Sequence, residues 1–229
     1  MPALAPHLRG HVLLFDGRPA PAYAAQAGLR ILVAVAVLEG LVGPRFHLLD
    51  WLGFAQPNAM VRVALLLLAA LALAKYFARV AFGDLGLRAW REWSLTEKSY
   101  FVQVAIAANV VFALLFADRL RTAPLSPALT LLGVNFAWGF YQELVYRGLL
   151  QTELVRRFGA IAGVLAANLL FTFGPLHFYH FSRANPWPML AAIFAMGLFF
   201  GALYHRSRNL WLPAVFHGIG MAWILATLD

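Results

Sequence analysis

An all-α, polytopic transmembrane helix bundle of seven or eight spans is the fold that the sequence predicts. Three observations carry that expectation. Of the 229 residues, 62% are hydrophobic and only 12% charged, far from the mix of a soluble domain. The apolar residues fall into runs near the roughly 20 residues that a bilayer core requires. The basic residues sit in short groups between those runs.

Taken in order, the apolar runs are 30 to 43, 59 to 82, 99 to 117, 128 to 150, 160 to 181, 187 to 204 and 210 to 227. Each is long or apolar enough to read as a span. A short apolar stretch, Phe46 to Phe54, cannot cross alone and reads as an interfacial turn or the remnant of an eighth span. Met1 to Gly28 lacks the basic, apolar and small-residue order of a cleavable signal, so the first span is expected to be retained. Gly83 to Leu95, with Trp90, Trp93 and alternating charges, reads as an amphipathic segment at the cytoplasmic interface or as a plain polar loop. No internal repeat or low-complexity linker is present. The chain divides into N-terminal spans with the interfacial segment, 1–124, and a core, 125–229, within one continuous membrane domain.

The formal charge is +8, but the cations are scattered rather than gathered on one stretch, which argues for membrane topology over nucleic acid. With the N-terminus in the cytoplasm, Arg9, Arg18, Arg30, Lys75, Arg79, Arg88, Arg91, Lys98, Arg156, Arg157, Arg206 and Arg208 share that side. Only Arg45, Arg119, Arg121 and Arg183 face the other, so twelve basic residues stand against four. The positive-inside rule favours this orientation, with Asp229 outside. The sequence has no cysteine, which excludes disulfides, thiolate metal sites and a cysteine nucleophile.

A few residues do not belong in lipid. The fourth run holds Glu143 and Arg147 one helical turn apart, a costly placement unless the charges pair or meet water. An i,i+4 ion pair that merely neutralises itself is the plain explanation. The fifth run carries His177 and the seventh His217, the two histidines deepest in apolar sequence. Gly159 is the natural turn between the fourth and fifth helices, with Glu143 sixteen residues before it and His177 eighteen after it. At about 1.5 Å rise per residue, both lie roughly 24 to 27 Å from the turn, so an antiparallel hairpin brings them level. His217 lies at a comparable depth in its own span. His180 and His205 fall near span ends and read as structural.

A carboxylate beside imidazoles in a low-dielectric pocket has the parts for water activation, a base and donors for an oxyanion. Hydrolysis is therefore the favoured reaction class. Zinc held by Glu143, His177 and His217 is the chemical alternative, although the His-Glu-x-x-His helix signature is absent. No Gly-x-Ser-x-Gly elbow marks a serine nucleophile. No organic cofactor is expected.

At these residues the sequence resembles the CPBP family of intramembrane proteases, related to CAAX prenyl protease 2 and to bacteriocin-processing or immunity proteins. The resemblance covers about Leu125 to Leu228. The family's Glu-Glu-x-x-x-Arg motif is matched by Gln142 to Arg147 and followed by Gly148. Its Phe-x-x-x-His motif is matched by Phe173 to His177. Its third, a histidine and then an asparagine or similar polar residue beyond three intervening positions, is matched by His217 but ends in Met221. Two positions depart from the pattern. Gln142 stands where the family has the water-activating glutamate and cannot accept the proton, and Met221 cannot hydrogen-bond as an amide does.

The resemblance implies an intramembrane endopeptidase acting on a membrane-anchored protein or peptide, with C-terminal processing of the CAAX or sorting-tail type and no nucleic-acid partner. It also implies an integral membrane protein of a bacterial inner membrane. The roles it implies are Glu143 as base, His177 as its partner in orienting water, His217 as oxyanion donor and Arg147 as charge partner. The competing readings are a family scaffold that has lost hydrolysis and serves as a binding or immunity protein, and a small transporter using the buried polar cluster as an ion path.

Overall fold

The computed structural model describes residues 25–42, 59–117 and 125–225. Every regular element among them is helical. Helix α1 spans Ala25–Val42 and α2 spans Ala59–Ala72, the latter ending in a π-helical turn, Leu73–Phe77. Helix α3 spans Leu95–Leu115. Helix α4, Leu125–Glu143, continues without a break through a π-helical stretch, Leu144–Gln151, into α5, Thr152–Phe158. Helix α6, Ala160–Phe173, leads into a 3-10 segment, Pro175–Ser182. Helices α7, Trp187–Ser207, and α8, Trp211–Leu225, complete the fold.

Each of the seven predicted runs coincides with a helix. Among the described residues, four helical stretches, Met60–Phe77, Leu95–Leu115, Ala160–Phe178 and Trp187–Ser207, are long and apolar enough to cross a membrane by length and composition. The candidate eighth span, Phe46 to Phe54, lies outside the described residues.

Local chemistry explains where the helices stop. Ser94 begins α3 with a capping box: its Oγ accepts from the Glu97 amide at 3.1 Å, and its own amide donates to Glu97 Oε2 at 2.8 Å, so two otherwise orphaned donors are satisfied. Gly159, at φ 81°, makes the turn between α5 and α6 in a region that costs a side chain dearly. The α5–α6 hairpin predicted from that glycine forms. The fifth run does not stay α-helical to its end, because Gly174 is extended and Pro175 starts a tighter helix. His177 therefore rides on the 3-10 segment rather than on α6.

The segment 83–94 is a run of turns with a single 3-10 turn at Trp90–Glu92. It is clasped to the α7–α8 junction. Leu210 N–H donates to Gly86 O at 2.9 Å, Trp211 Nε1 to Arg88 O at 3.1 Å, and Arg88 Nη1 pairs with Glu97 Oε1 at 2.7 Å. Trp93 is buried by this clasp and Trp90 is exposed.

Helices α4 and α8 form the most extensive pairing in the bundle. Their backbones nearly touch: a Cβ placed on Gly139 would lie 2.8 Å from Gly218 N and 2.9 Å from Gly218 Cα. Small residues permit that approach in a medium where packing, not water exclusion, drives association. Helix α3 turns Val102, Ile106, Val110 and Leu114 outward, the surface that acyl chains would cover.

Candidate functional site

The α4–α8 crossing decides what faces what. Gly139 lies one turn before Glu143 and Gly218 directly follows His217, so the crossing sets the carboxylate opposite the imidazole. Glu143 Oε1 is 2.8 Å from His217 Nδ1. On its other side, Arg147 Nε donates to Glu143 Oε2 at 3.1 Å. Both partners of this ion pair are fully buried. A pair in that setting must be well ordered, because removing one partner leaves an uncompensated charge at a cost of about 3–5 kcal/mol.

The π-helical stretch starts at the residue after Glu143 and keeps all eight of its residues buried. Such stretches are uncommon and recur at functional sites, because they break the regular hydrogen-bond ladder and free backbone groups. Here the Arg147 carbonyl accepts from Thr152 Oγ1 at 3.2 Å, and that hydroxyl lies 3.0 Å from Tyr204 OH. Gln151 Nε2 donates to Gly201 O at 2.8 Å. The stretch is thereby tied to α7.

Phe171 connects the acid to the second histidine. The Arg147 guanidinium lies over its ring at 4.9 Å, a cation–π contact that shelters the charge. The His177 ring meets the same phenyl edge-on, centroids 4.8 Å apart, and His217 lies 6.1 Å from it, also edge-on. His177 Nδ1 is 2.7 Å from the Phe171 carbonyl. A carbonyl only accepts, so Nδ1 carries the proton and Nε2 holds the lone pair. His217 is subject to the same logic: Nδ1 donates to the carboxylate and Nε2 is left as its other polar atom. Phe200 stacks on His217, with centroids 5.3 Å apart.

The structure thus brings Glu143, Arg147 and His217 into direct contact and joins His177 to them through Phe171. His180 differs from the expectation of an interfacial residue. It is buried and stacks on His177, with centroids 5.7 Å apart. Its position three residues from His177 on a 3-10 turn, where i and i+3 eclipse, was the signal available in the sequence. Phe171 was also missed, since one phenylalanine among nineteen carries no mark of its role. Among the described residues, no three His, Cys, Asp or Glu side chains come close enough to share a metal ion.

The two departures from the motif pattern touch each other. Gln142 Nε2 lies 3.6 Å from Met221 Sδ, a soft acceptor. Gln142 Oε1 is buried and without a partner among the described residues.

A helical bundle with membrane-grade helices and a buried carboxylate–imidazole cluster defines an integral membrane protein whose polar centre lies between helices. The family model described as type II CAAX prenyl endopeptidase Rce1-like matches residues 124–222, which bears out the resemblance read from the three motifs. That segment holds Glu143, Arg147, His177 and His217. No curated protein and no solved structure matches the chain.

Proposed function

We propose that this chain is an intramembrane endopeptidase that hydrolyses a peptide bond of a membrane-anchored protein or peptide. The observation that carries the reading is the 2.8 Å contact of Glu143 with His217 within a segment that matches the endopeptidase family model. In this reading water binds between the imidazoles, near Phe171. Glu143 and His177 orient it and take its proton, with the charge of Glu143 held in place by Arg147. The His217 ring, fixed by Glu143 and Phe200, acts in its doubly protonated form, with Nδ1–H on Glu143 and Nε2–H donating to the oxygen that becomes negative as the carbonyl is attacked. The substrate is a protein tail in the bilayer, of the CAAX or sorting-tail kind, and the seven apolar runs act as spans with the N-terminus in the cytoplasm of a bacterial inner membrane.

The test is cleavage in proteoliposomes of two reporter peptides, one ending in a prenylated CAAX-type tail and one in a hydrophobic sorting tail. Product that disappears in both Glu143→Gln and His177→Ala supports the proposal. Full activity in either variant rejects the assigned roles.

The Gln142–Met221 contact favours a second reading, a family scaffold that binds such a tail without cutting it. Gln142 supplies no base, and Met221 leaves the oxyanion side without an amide. Reporter that co-purifies intact with the wild-type chain, and is cut only by the Gln142→Glu/Met221→Asn double variant, would establish this reading over the first.

A further inference from the structure

A second carboxylate approaches the site from outside the matched segment. Glu39 lies on α1, in an apolar run where an acid needs a reason. Helix α1 packs on both the π-helical stretch and the 3-10 segment that bears His177. The Glu39 carboxylate faces the Tyr146 hydroxyl and the Leu176 backbone N–H, and Tyr141 lies within range of its charge. Neither contact closes to hydrogen-bond geometry. Both Glu39 oxygens and the hydroxyls of Tyr141 and Tyr146 are buried without a partner among the described residues.

The two contacts have different consequences. Tyr146 lies three residues after Glu143 and next to Arg147, so it belongs to the wall of the site. Its ring meets Phe171 edge-on at 5.0 Å, the ring on which both histidines rest. Leu176 is the second residue of the 3-10 segment, where an N–H finds no helical carbonyl. His177 N–H, next along, is already satisfied by Gly174 O at 3.0 Å. An anion at such a helix start is favourable, since it faces orphaned donors and the positive end of the peptide dipoles. The adjoining apolar contacts hold the approach, with Val35, Leu38 and Leu176 in one buried cluster.

We propose that Glu39 is a positioning residue of the site: its carboxylate, turned toward the Tyr146 hydroxyl and the Leu176 N–H without closing on either, attracts both and so draws the first turn of Pro175–Ser182 toward α1 and sets the place of His177. The proposal rests on the endopeptidase reading for its effect on rate, but not for its effect on His177 itself. A carboxylate one helix away would then complete the frame that the matched segment leaves open on this side.

The test uses the full chain in proteoliposomes and compares wild type with Glu39→Gln and Glu39→Leu. The leucine variant fills the space and removes a buried charge, so its melting temperature should be unchanged or raised. Two readouts decide. One is the rate of His177 carbethoxylation by diethyl pyrocarbonate, followed by peptide mass spectrometry with His217 as internal reference. The other is the division of the cleavage effect between kcat and KM. In both variants we expect His177 to react at least about threefold faster relative to His217, and kcat to fall about tenfold or more with KM nearly constant, as a displaced catalytic group predicts.

Unchanged His177 reactivity in the folded leucine variant overturns the proposal, whatever the rate does. Raised reactivity with wild-type kcat also overturns it, because the held position would then be irrelevant to the reaction. Should wild type cut neither reporter, the endopeptidase reading fails, and the carbethoxylation readout still decides whether Glu39 holds His177.

Discussion

Replacing Gly139 by alanine adds one methyl group at the point where α4 and α8 nearly touch, and its effect can be worked from the crossing itself. The new Cβ would lie 2.8 Å from Gly218 N. Non-bonded heavy atoms are comfortable at about 3.5 Å or more, so the helices must part by roughly 0.7 Å. The nearest atoms that the new Cβ meets, Gly218 N and Cα and the His217 carbonyl carbon, are all backbone, so no side chain can turn aside. Glu143 is one turn further along α4. The same parting would stretch its 2.8 Å contact with His217 to about 3.5 Å, the outer edge of a hydrogen bond.

Weakening a charged, buried hydrogen bond costs about 1.5–3 kcal/mol. Misplacing a catalytic group by close to 1 Å costs up to about a hundredfold in rate. Gly139→Ala should therefore lower the melting temperature and reduce kcat for reporter cleavage by about ten- to a hundredfold. Gly220→Ala is the matched control, since nothing lies within 4 Å of a Cβ there. It should be neutral, or stabilising by up to about 1 kcal/mol through helix propensity. Thermal unfolding in proteoliposomes alongside single-turnover cleavage makes the comparison. If the two alanine variants behave alike in both assays, the crossing does not set the register of the site.

Three further outcomes are expected. Glu143→Ala should destabilise the fold by about 3–5 kcal/mol, because it strands the buried Arg147; Glu143→Leu/Arg147→Met should recover most of the stability and none of the cleavage, and urea titration in mild detergent checks both. Phe171→Leu removes the ring shared by the guanidinium and both imidazoles while keeping most of the volume. It should cost less than about 1.5 kcal/mol in stability yet lower kcat clearly, so a variant with unchanged kcat would exclude Phe171 as the organising surface. Glu97→Ala removes the partner of Arg88 and the side-chain half of the α3 capping box; amide exchange over 86–95 should accelerate, with a stability loss of about 1–2 kcal/mol.

Composition and run length were enough to predict helices and a membrane setting, because both follow from local sequence: an apolar stretch near bilayer length has few other places to go. The Gly159 turn was legible for the same reason, since only glycine tolerates that backbone cheaply. Glu143, Arg147, His177 and His217 stood out as polar residues in apolar runs. The break at Gly174-Pro175 was written in the sequence too, yet the run continued so apolar beyond it that the fifth helix read as unbroken.

Other features depended on partners distant in the chain. The approach of Gly139 to Gly218 places Glu143 against His217, and neither glycine announces its counterpart. The π-helical stretch after Glu143 has no sequence signature, because it is stabilised by what Gln151 and Thr152 bind on α7. Phe171 acquired its place from the packing of α6 on the π-helical stretch. One chain segment fixes its own backbone preference, whereas the direction in which a buried side chain points is fixed by the neighbours that exclude every other direction.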